Sequence, residues 1–266
     1  MSERKEGGGD VGSLGKGLTV LQVLQAALQP LALSELAEQA GLTSSTAHRL
    51  VRALCDLDLA YQHPGGRYCA APRALFTMAL EHPLNVLRRD CWHILEGLRT
   101  RYGPSAKLVA FMGGRRVIVD VAIGRYNITP YFGTHDLAPL HASVSGKLLL
   151  SGLAPAERDA LLGAAPYPAR SPYTITERAA LFAQLDEVNR THVATNDAEH
   201  LIGVSALGVR LQSPTNRTLG AILLTGPSEF FGNSQREAMR AELLQTAELL
   251  GDTSQALRSL AGFLGC

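Results

Sequence analysis

The sequence lacks several features that would mark particular classes of protein. Its 266 residues include four cysteines, none of them in a CxxC pair, and its formal net charge is only +1. The cysteine spacings fit no metal-site pattern, so we expect reduced cysteines, no metal and no cofactor. A protein that coats nucleic acid non-specifically is usually far more basic. Any DNA binding must therefore use a local cationic face.

Export and membrane signals are also missing. Residues 1–12 are polar and glycine-rich, with no apolar run after the charges, and we expect a disordered tail there. No run of about 18 uncharged apolar residues occurs, which predicts no membrane-spanning helix, no membrane partner and a cytoplasmic protein. What the sequence does have is apolar content. Hydrophobic residues make up 46% and charged residues 18%, which favours buried cores over wholesale disorder.

The N-terminal part of the chain has the spacing of a helix-turn-helix. Ser34 is a candidate N-cap for a short helix that Gly41 ends. Thr43 or Ser44 caps a second helix, which runs to about Leu57. Two short helices joined by a tight turn that contains glycine are typical of this motif.

The second of these helices has one apolar face and one cationic face. Its apolar residues recur at helical spacing, at Ala47, Leu50, Val51 and Leu54. No Asp or Glu occurs between residues 39 and 55. The acceptors of a major groove and the flanking phosphates favour cations and hydroxyls on the opposite face. We predict that double-stranded operator DNA contacts four residues of this face, Ser45, His48, Arg49 and Arg52, together with the hydroxyls of Ser44 and Thr46 at the helix N-terminus.

A hairpin follows the second helix. Residues 59–62 and 67–70 are strand-like, and the sequence HPGG between them is a turn signal. No acid occurs between residues 59 and 80. Arg67 could therefore reach the DNA backbone or the minor groove as part of a wing.

The charge balance of this part of the chain predicts an oligomer. The first 83 residues carry seven Lys and Arg against eight Asp and Glu, so a single copy should bind DNA weakly. A dimer would present two recognition surfaces to two half-sites, which is how helix-turn-helix proteins commonly gain affinity.

The rest of the chain predicts an α+β domain, in which helices flank a mostly antiparallel sheet. A further helix is expected over residues 72–80, with the domain boundary near His82 and Pro83. Helices are then predicted at 84–101, from close to Ser143, at 155–163, at 176–191 and at 233–262. Strands are predicted at 106–112, 116–123, 126–132, 203–211 and 218–225.

The segment HASVSGK, residues 141–147, carries the strongest chemical signal of this domain. Its small residues would let a ligand approach the backbone, and a helix begins there. Unpaired N–H groups near Val144 and Ser145 could hold the carboxylate of a small-molecule effector. We therefore predict effector contacts from His141, Ser143, Val144 and Ser145. The alternative interpretation is a simple serine-capped helix start.

Enzyme motifs fail in the same segment. A Walker loop needs glycine at position 141 and serine or threonine at position 148, where the chain has His141 and Leu148. A nucleophile elbow around Ser143 also needs glycine at position 141. We therefore predict no catalytic residue.

A second candidate segment spans residues 196–206, where polar residues lead into an apolar strand. It could close the effector pocket through Asn196, Glu199, Val204 and Ala206. The alternative for Glu199 and His200 is a surface loop. Phe132 is a candidate pocket wall, although a lone aromatic residue in a strand is also typical of plain core.

The whole chain after the tail resembles the IclR family of bacterial regulators. The resemblance is carried by SLGKGL (13–18), LSELAEQAGLTSSTAHRLVRAL (33–54), PGGRY (64–68), PLHASVSGKLLL (139–150) and EHLIGVSALGV (199–209). It implies a winged helix-turn-helix joined by a linker helix to a GAF-like α/β effector-binding domain. It also implies homodimers or tetramers, repression or activation of nearby genes, and small effectors that are often organic or aromatic acids. Family members commonly have an acid where Asn196 stands and a cysteine where Ala206 stands.

The resulting hypothesis is a ligand-responsive, sequence-specific transcriptional regulator. We expect a DNA-binding domain at 13–72, a linker helix at 73–83 and an effector domain at 84–262, and we include Lys16 among the DNA contacts. One alternative is a metabolite-binding module that acts through protein contacts and has a degenerate winged helix, which the near-neutral N-terminal charge supports. The other is an enzyme with an accessory DNA domain, which the failed motifs disfavour.

Overall fold

The structure is a computed structural model that describes residues 12–75, 79–125, 138–213 and 215–265. The chain forms two compact units, Met1–Leu80 and Glu81–Cys266. The predicted tail, apart from Gly12, and the predicted strand at 126–132 lie outside the described residues. Phe132 lies outside them as well. No helix in the described part of the chain is long and apolar enough to cross a membrane.

The first unit consists of three helices and a two-stranded antiparallel hairpin. Its elements are α1 (Ser13–Ala26), α2 (Leu33–Gln39), α3 (Ser44–Asp56), β1 (Ala60–Gln62) and β2 (Tyr68–Ala70). Apolar side chains from all three helices and the hairpin form one core, which includes Val20, Leu24, Leu36, Leu50, Val51, Leu54 and Tyr68. This is the winged helix-turn-helix that the sequence predicts.

The N-terminal ends of α2 and α3 are capped in different ways. Thr43 caps α3 as predicted, and its hydroxyl accepts a hydrogen bond from the Thr46 N–H at 3.4 Å. The prediction of Ser34 as an N-cap is wrong, because α2 begins at Leu33 and its N-cap is Ala32, two residues earlier. The Glu35 carboxylate instead accepts from the Ala32 N–H at 2.7 Å, which satisfies a backbone donor that a serine cap would leave open.

The predicted linker helix is not a continuous helix. Pro72–Leu75 forms a single 3₁₀ turn, residues 79–82 are not helical, and residues 76–78 lie outside the described part. Pro83 does not end a helix but opens the next one, α4 (Pro83–Tyr102). Proline suits this first position, because its ring fixes a helical φ and the missing N–H would have no intrahelical partner. The His82 imidazole caps the same helix by accepting from the Leu84 N–H at 3.2 Å.

The second unit is an antiparallel five-stranded sheet with helices on both faces. After α4 its elements are β3 (Ser105–Met112), β4 (Arg115–Ala122), α5 (Val144–Ser151), α6 (Pro155–Leu162), α7 (Arg178–Thr191), β5 (Val193–Asp197), β6 (Val204–Gln212), β7 (Thr218–Pro227), α8 (Asn233–Thr253) and α9 (Gln255–Phe263). The strand order is β4-β3-β7-β6-β5. The predicted fold class is therefore confirmed.

Two features of this unit differ from the sequence-based expectation. β5 has only five residues and was not predicted. The long helix predicted over 233–262 is two helices, because Ser254 has an extended backbone between them. Its hydroxyl accepts from the Leu257 N–H at 3.1 Å and so caps α9. Serine is a favoured N-cap, which explains the interruption.

The sheet separates two cores. Side chains alternate along β3, so that Leu108 packs with α4, α8 and α9 on one face while Val109 and Phe111 pack with α5 on the other. The N-terminal end of α5 lies very close to β6 at Gly208. A Cβ atom at Gly208 would lie 2.6 Å from Leu223 Cβ and 2.8 Å from Val144 Cγ1, so only glycine allows this approach.

Arg210 on β6 ties together the C-terminal ends of two helices. Its Nη2 donates to Ser151 Oγ at 2.9 Å, in the last residue of α5. It also donates to Asn189 Oδ1 at 3.0 Å and to the Val188 carbonyl at 3.2 Å, both in α7. A cation at the negative ends of two helix dipoles is electrostatically favourable.

Replacing Arg210 with methionine is expected to destabilise the second unit. The change leaves two buried acceptors, Ser151 Oγ and the Val188 carbonyl, without this donor and also removes the bond to the exposed Asn189, so the free energy of unfolding should fall by about 2–4 kcal/mol. Urea denaturation of the full chain measures it. The matched control is Arg190→Met, because Arg190 pairs with Glu187 on the exposed surface of α7, and its loss should leave stability nearly unchanged. Equal losses in the two variants would contradict the account.

Candidate functional site

The polar face of α3 is the first candidate site. His48, Arg49 and Arg52 are exposed on it, whereas the four predicted apolar residues of the helix are buried. Ser44 and Ser45 are also exposed and Thr46 is half-buried, all in the first turn of the helix. The sequence projection of this helix therefore agrees with the structure, which presents two guanidinium groups and several hydroxyls on one surface.

The start of α1 lies beside this face. Arg49 Nη2 donates to Ser13 Oγ at 3.3 Å, and Ser13 is the first residue of α1. Lys16, one turn further along α1, is half-buried. The contact brings the first turn of α1, and with it Lys16, into the neighbourhood of the cationic face.

Arg67 in the hairpin is engaged within its own unit. Its Nε donates to the Pro30 carbonyl at 2.7 Å, and its Nη2 lies 2.6 Å from Glu35 Oε2. The Ala32 N–H and the Arg67 guanidinium together hold the pKa of Glu35 below its usual value. Both side chains of the pair are about half exposed. A DNA contact by Arg67 stays a prediction, and it would have to compete with Glu35.

The N-terminal end of α5 is the second candidate site. Ser143 is its N-cap, with the hydroxyl accepting from the Gly146 N–H at 3.3 Å and donating to the Pro139 carbonyl at 2.6 Å. Val144 and Ser145 follow as the first residues of the helix, and both are buried. The amides of a first helical turn have no intrahelical acceptor, which leaves donors for a ligand.

Arg116 belongs to this site although the sequence analysis did not select it. It lies opposite Phe111 in the β3–β4 register and therefore faces α5. Its Nη1 donates to Ser143 Oγ at 2.8 Å and to Ser145 Oγ at 3.0 Å, and its Nη2 donates to the Ala138 carbonyl. Arg116 is 8% exposed. An arginine at an inward strand position is the signal that could have found it.

The predicted residues Asn196 and Glu199 lie beside the same segment. Asn196 Nδ2 donates to the Ala142 carbonyl at 2.5 Å, and its Oδ1 accepts from the Glu199 N–H at 2.9 Å. Asn196 thus links β5 to the residue just before the N-cap of α5. The surface-loop alternative for Glu199 is wrong, because its side chain is 7% exposed.

Glu199 forms a buried ion pair with Lys147 of α5. The Nζ–Oε1 distance is 2.5 Å, and Nζ also donates to the Thr195 carbonyl at 3.1 Å. Burial raises the pKa of Glu199 and lowers that of Lys147, so removing these charges from water outweighs their attraction. Oε2 is buried without a hydrogen-bond partner among the described residues. The pair fixes the position of α5 on β5.

His141 is packed into a different environment from the one predicted. Its ring stacks on Tyr167 with centroids 5.4 Å apart, and Nε2 donates to the Pro168 carbonyl at 3.0 Å. Burial lowers the pKa of His141, so the neutral imidazole is favoured. On β6, Val204 and Ala206 are half-buried, and Ala206 lies opposite Asn196 and packs with the core around Val144. Ala206 therefore packs against the core at the N-terminal end of α5, whereas the His141 ring contacts Tyr167 and Pro168.

The described residues contain no candidate metal site. Within them, no group of three or more His, Cys, Asp and Glu side chains is close enough to hold a metal ion. Cys55, Cys69 and Cys91 are free thiols.

The effects of mutating Lys147 and Glu199 on the free energy of unfolding should not be additive. Lys147→Met alone leaves the Glu199 carboxylate buried without its partner, and we expect a loss of about 3–5 kcal/mol in unfolding free energy. The double variant Lys147→Met/Glu199→Leu removes both charges, and most of that loss should be recovered. Urea denaturation of the single and double variants measures the difference. A double variant as unstable as the single one would contradict a desolvation-dominated pair.

Two family models match the chain. The model for the "Bacterial transcriptional regulator IclR C-terminal" domain matches residues 84–251, and the model for the IclR helix-turn-helix domain matches residues 13–64. Among curated relatives, "Probable transcriptional regulator SauR" of Cupriavidus necator is 28% identical over 209 residues, which cover 78% of this chain and 83% of SauR. The transcriptional regulator XynR of Escherichia coli is 24% identical over 234 residues, which cover 88% and 93%.

Solved structures agree in fold. The crystal structure of Thermotoga maritima IclR has a TM-score of 0.71 at 20% identity, and the match covers 96% of this chain and 99% of that one. An IclR homologue of Microbacterium hydrocarbonoxydans, complexed with 4-hydroxybenzoate, has a TM-score of 0.74 at 20% identity, with 93% and 99% covered. Since the family models together span most of the chain, this protein belongs to the IclR family of transcriptional regulators, with a helix-turn-helix domain followed by the IclR C-terminal domain.

Proposed function

We propose that this regulator binds operator DNA through the polar face of α3 and is controlled by a small organic acid bound at the N-terminal end of α5. The observation that carries the DNA-binding part is the exposure of His48, Arg49 and Arg52 on a helix whose other face is buried. A second helix of a helix-turn-helix commonly enters the major groove, where such side chains reach base edges and phosphates.

Oligomerisation is part of the proposal. The near-neutral first unit offers few phosphate contacts per copy, so two copies on two half-sites would supply the affinity that one lacks. We therefore propose a homodimer or a tetramer on a palindromic operator. An alternative is a regulator that acts through protein contacts, and a shallow salt dependence of operator binding would favour it.

The end of α5 supports the effector part of the proposal. Three separate segments of the chain meet there, namely β4, the residues before α5 and β5. Small side chains and hydroxyls line this end, and first-turn amides favour an anion. The crystal structure of the Microbacterium hydrocarbonoxydans homologue contains 4-hydroxybenzoate, which is an aromatic carboxylate and so belongs to the same ligand class.

Control by the effector would be a population shift. A carboxylate that binds one arrangement of the oligomer more tightly than another favours that arrangement and thereby changes the spacing of its DNA-binding units. The coupling is reciprocal, so operator DNA must change the affinity for the effector by the same factor.

The double variant Arg49→Ala/Arg52→Ala tests the α3 surface. The operator is the sequence that the full chain selects from random DNA, and fluorescence anisotropy measures affinity at several salt concentrations. For each copy on the operator, we expect affinity to fall about 10- to 100-fold and the salt slope to become shallower by about two, because two cations per copy no longer contact DNA. The control Arg88→Ala/Arg89→Ala removes the same charge from exposed positions of α4. Similar losses of operator affinity in both double variants would contradict the assignment of α3 as the DNA-binding helix.

Effector control has its own test. Titration of the operator complex with benzoate, 4-hydroxybenzoate, phenylacetate and butyrate should reveal at least one acid that changes operator affinity by about 5- to 150-fold, the usual range of coupling between sites. The matching neutral amides serve as controls for non-specific effects. If acids bind the protein without any change in operator affinity, the regulatory proposal fails even though the site exists.

A further inference from the structure

Arg67, which precedes β2 in the hairpin, is held at two points by the segment that leads into α2. Its Nε donates to the Pro30 carbonyl at 2.7 Å, and its Nη2 lies 2.6 Å from Glu35 Oε2, in the first turn of α2. A guanidinium is a planar fork with donors in fixed directions, so it can make both bonds at once, whereas an ammonium is a single point charge. Arg67 therefore joins the hairpin to α2 and to the chain before it.

Glu35 is fixed in turn by the main chain. Oε2, the oxygen that pairs with Arg67, also accepts from the Ala32 N–H at 2.7 Å. This N–H and the guanidinium hold the pKa of Glu35 below its usual value, so the carboxylate is charged at neutral pH. If the Arg67 side chain moved away, the carboxylate would stay bonded to Ala32 and would not follow it. Glu35 is therefore a fixed acceptor for Arg67.

A main-chain bridge lies directly beside this pair. The Leu31 N–H donates to the Tyr68 carbonyl at 2.8 Å, and the Tyr68 N–H donates to the Leu31 carbonyl at 2.7 Å. Tyr68 follows Arg67 in the chain, and Leu31 follows the residue whose carbonyl accepts from Arg67. The backbone bridge and the side-chain bonds together attach the hairpin to α2, which shares one core with α3. The position of the hairpin relative to α3 therefore depends on these bonds.

The hairpin sequence contains no second cation. Arg67 is the only Lys or Arg between residues 53 and 72, and the exposed tip at 63–66 has the sequence HPGG. A phosphate contact by Arg67 would break two hydrogen bonds that are already formed, one of them to a carboxylate. The tip needs no charge to contact DNA, because main-chain N–H groups also bind phosphate oxygens. These observations favour a link within the unit over a DNA contact.

We infer that Arg67 is a positioning residue, which acts through Glu35 to set the hairpin tip against DNA and does not itself neutralise a phosphate. This inference rests on the proposed DNA binding and gives the hairpin a different role from α3. The cations of α3 contact DNA directly. The hairpin adds neutral contacts, and their geometry depends on one ion pair inside the first unit.

The ion pair should matter more for the position of the hairpin than for the stability of the first unit. Both side chains are about half exposed, and exposed ion pairs usually contribute little to folding. Variants of either residue should therefore melt close to the wild-type temperature. A change in their operator affinity then reports where the hairpin lies and not whether the protein is folded. Circular dichroism and thermal melting of the full chain check this point.

Variants of Arg67 separate positioning from phosphate contact. Fluorescence anisotropy measures the affinity of the full chain for the selected operator at several salt concentrations. We expect Arg67→Met to bind about 5- to 10-fold more weakly with an unchanged salt slope, because no cation in contact with a phosphate is lost. Arg67→Lys should lose as much affinity, because lysine cannot bond to Pro30 and Glu35 together. A phosphate contact instead predicts a slope shallower by about one per copy, and near wild-type affinity for the lysine variant.

Variants of Glu35 give the same test from the other side of the pair. Glu35→Met releases Arg67 and should weaken binding about 5- to 10-fold, although it removes a negative charge from the DNA-binding unit. Glu35→Gln keeps an acceptor for Arg67 and for the Ala32 N–H, and it should retain most of the wild-type affinity. The matched control is Glu38→Met, which removes an exposed acid from the same helix and should not weaken binding.

The double variant Arg67→Met/Glu35→Met should bind no more weakly than either single variant, because both changes remove the same link. Tighter binding by Glu35→Met than by Glu38→Met, or a shallower salt slope in Arg67→Met, would overturn the positioning role while the proposed function stands. Wild-type affinity in both single variants would overturn it as well. If the wild type selects no operator, the proposed DNA binding is overturned and this inference falls with it.

Discussion

The complete burial of α5 is the constraint on which the second unit depends. All eight of its residues are buried, although three of them are serine or lysine. Each polar side chain therefore needs a partner inside the protein. Ser145 receives a hydrogen bond from Arg116, Lys147 pairs with Glu199, and Ser151 receives one from Arg210. These partners come from β4, the β5–β6 turn and β6, so the polar residues of one short helix connect two strands and a turn of the sheet.

The same arrangement makes the two ends of α5 unequal. Its C-terminal end is held by a cation in the favourable sense of the dipole, and its middle is held by a buried ion pair. Its N-terminal end has a cation in the unfavourable sense, beside amides that lack intrahelical acceptors. The effector site proposed at the N-terminal end therefore lies on a helix of about two turns that is anchored along the rest of its length.

Sequence patterns predicted the first unit well because its information is local. The faces of α3 follow from helical spacing, and cap preference reduced its N-cap to Thr43 or Ser44, of which the structure has Thr43. The second unit depended on contacts that the sequence does not contain. Arg115 and Arg116 are identical neighbours, and only the pairing with Phe111 decides which of them faces α5. Similarly, Ser254 ends α8 although helical spacing continues across it. His141 was selected from a motif as an effector contact. In the structure its ring stacks on Tyr167 and its Nε2 donates to the Pro168 carbonyl.

Amide hydrogen exchange of the full chain, with and without a saturating carboxylate that binds it, tests the central claim most directly. The claim is that the effector engages the N-terminal end of α5, where it supplies acceptors to first-turn amides. The account predicts that the largest gain in protection falls in peptides covering residues 138–147, with little change where α5 and α7 end at Ser151 and Asn189. A largest change at those C-terminal ends, or bound ligand with no change at residues 138–147, would contradict it.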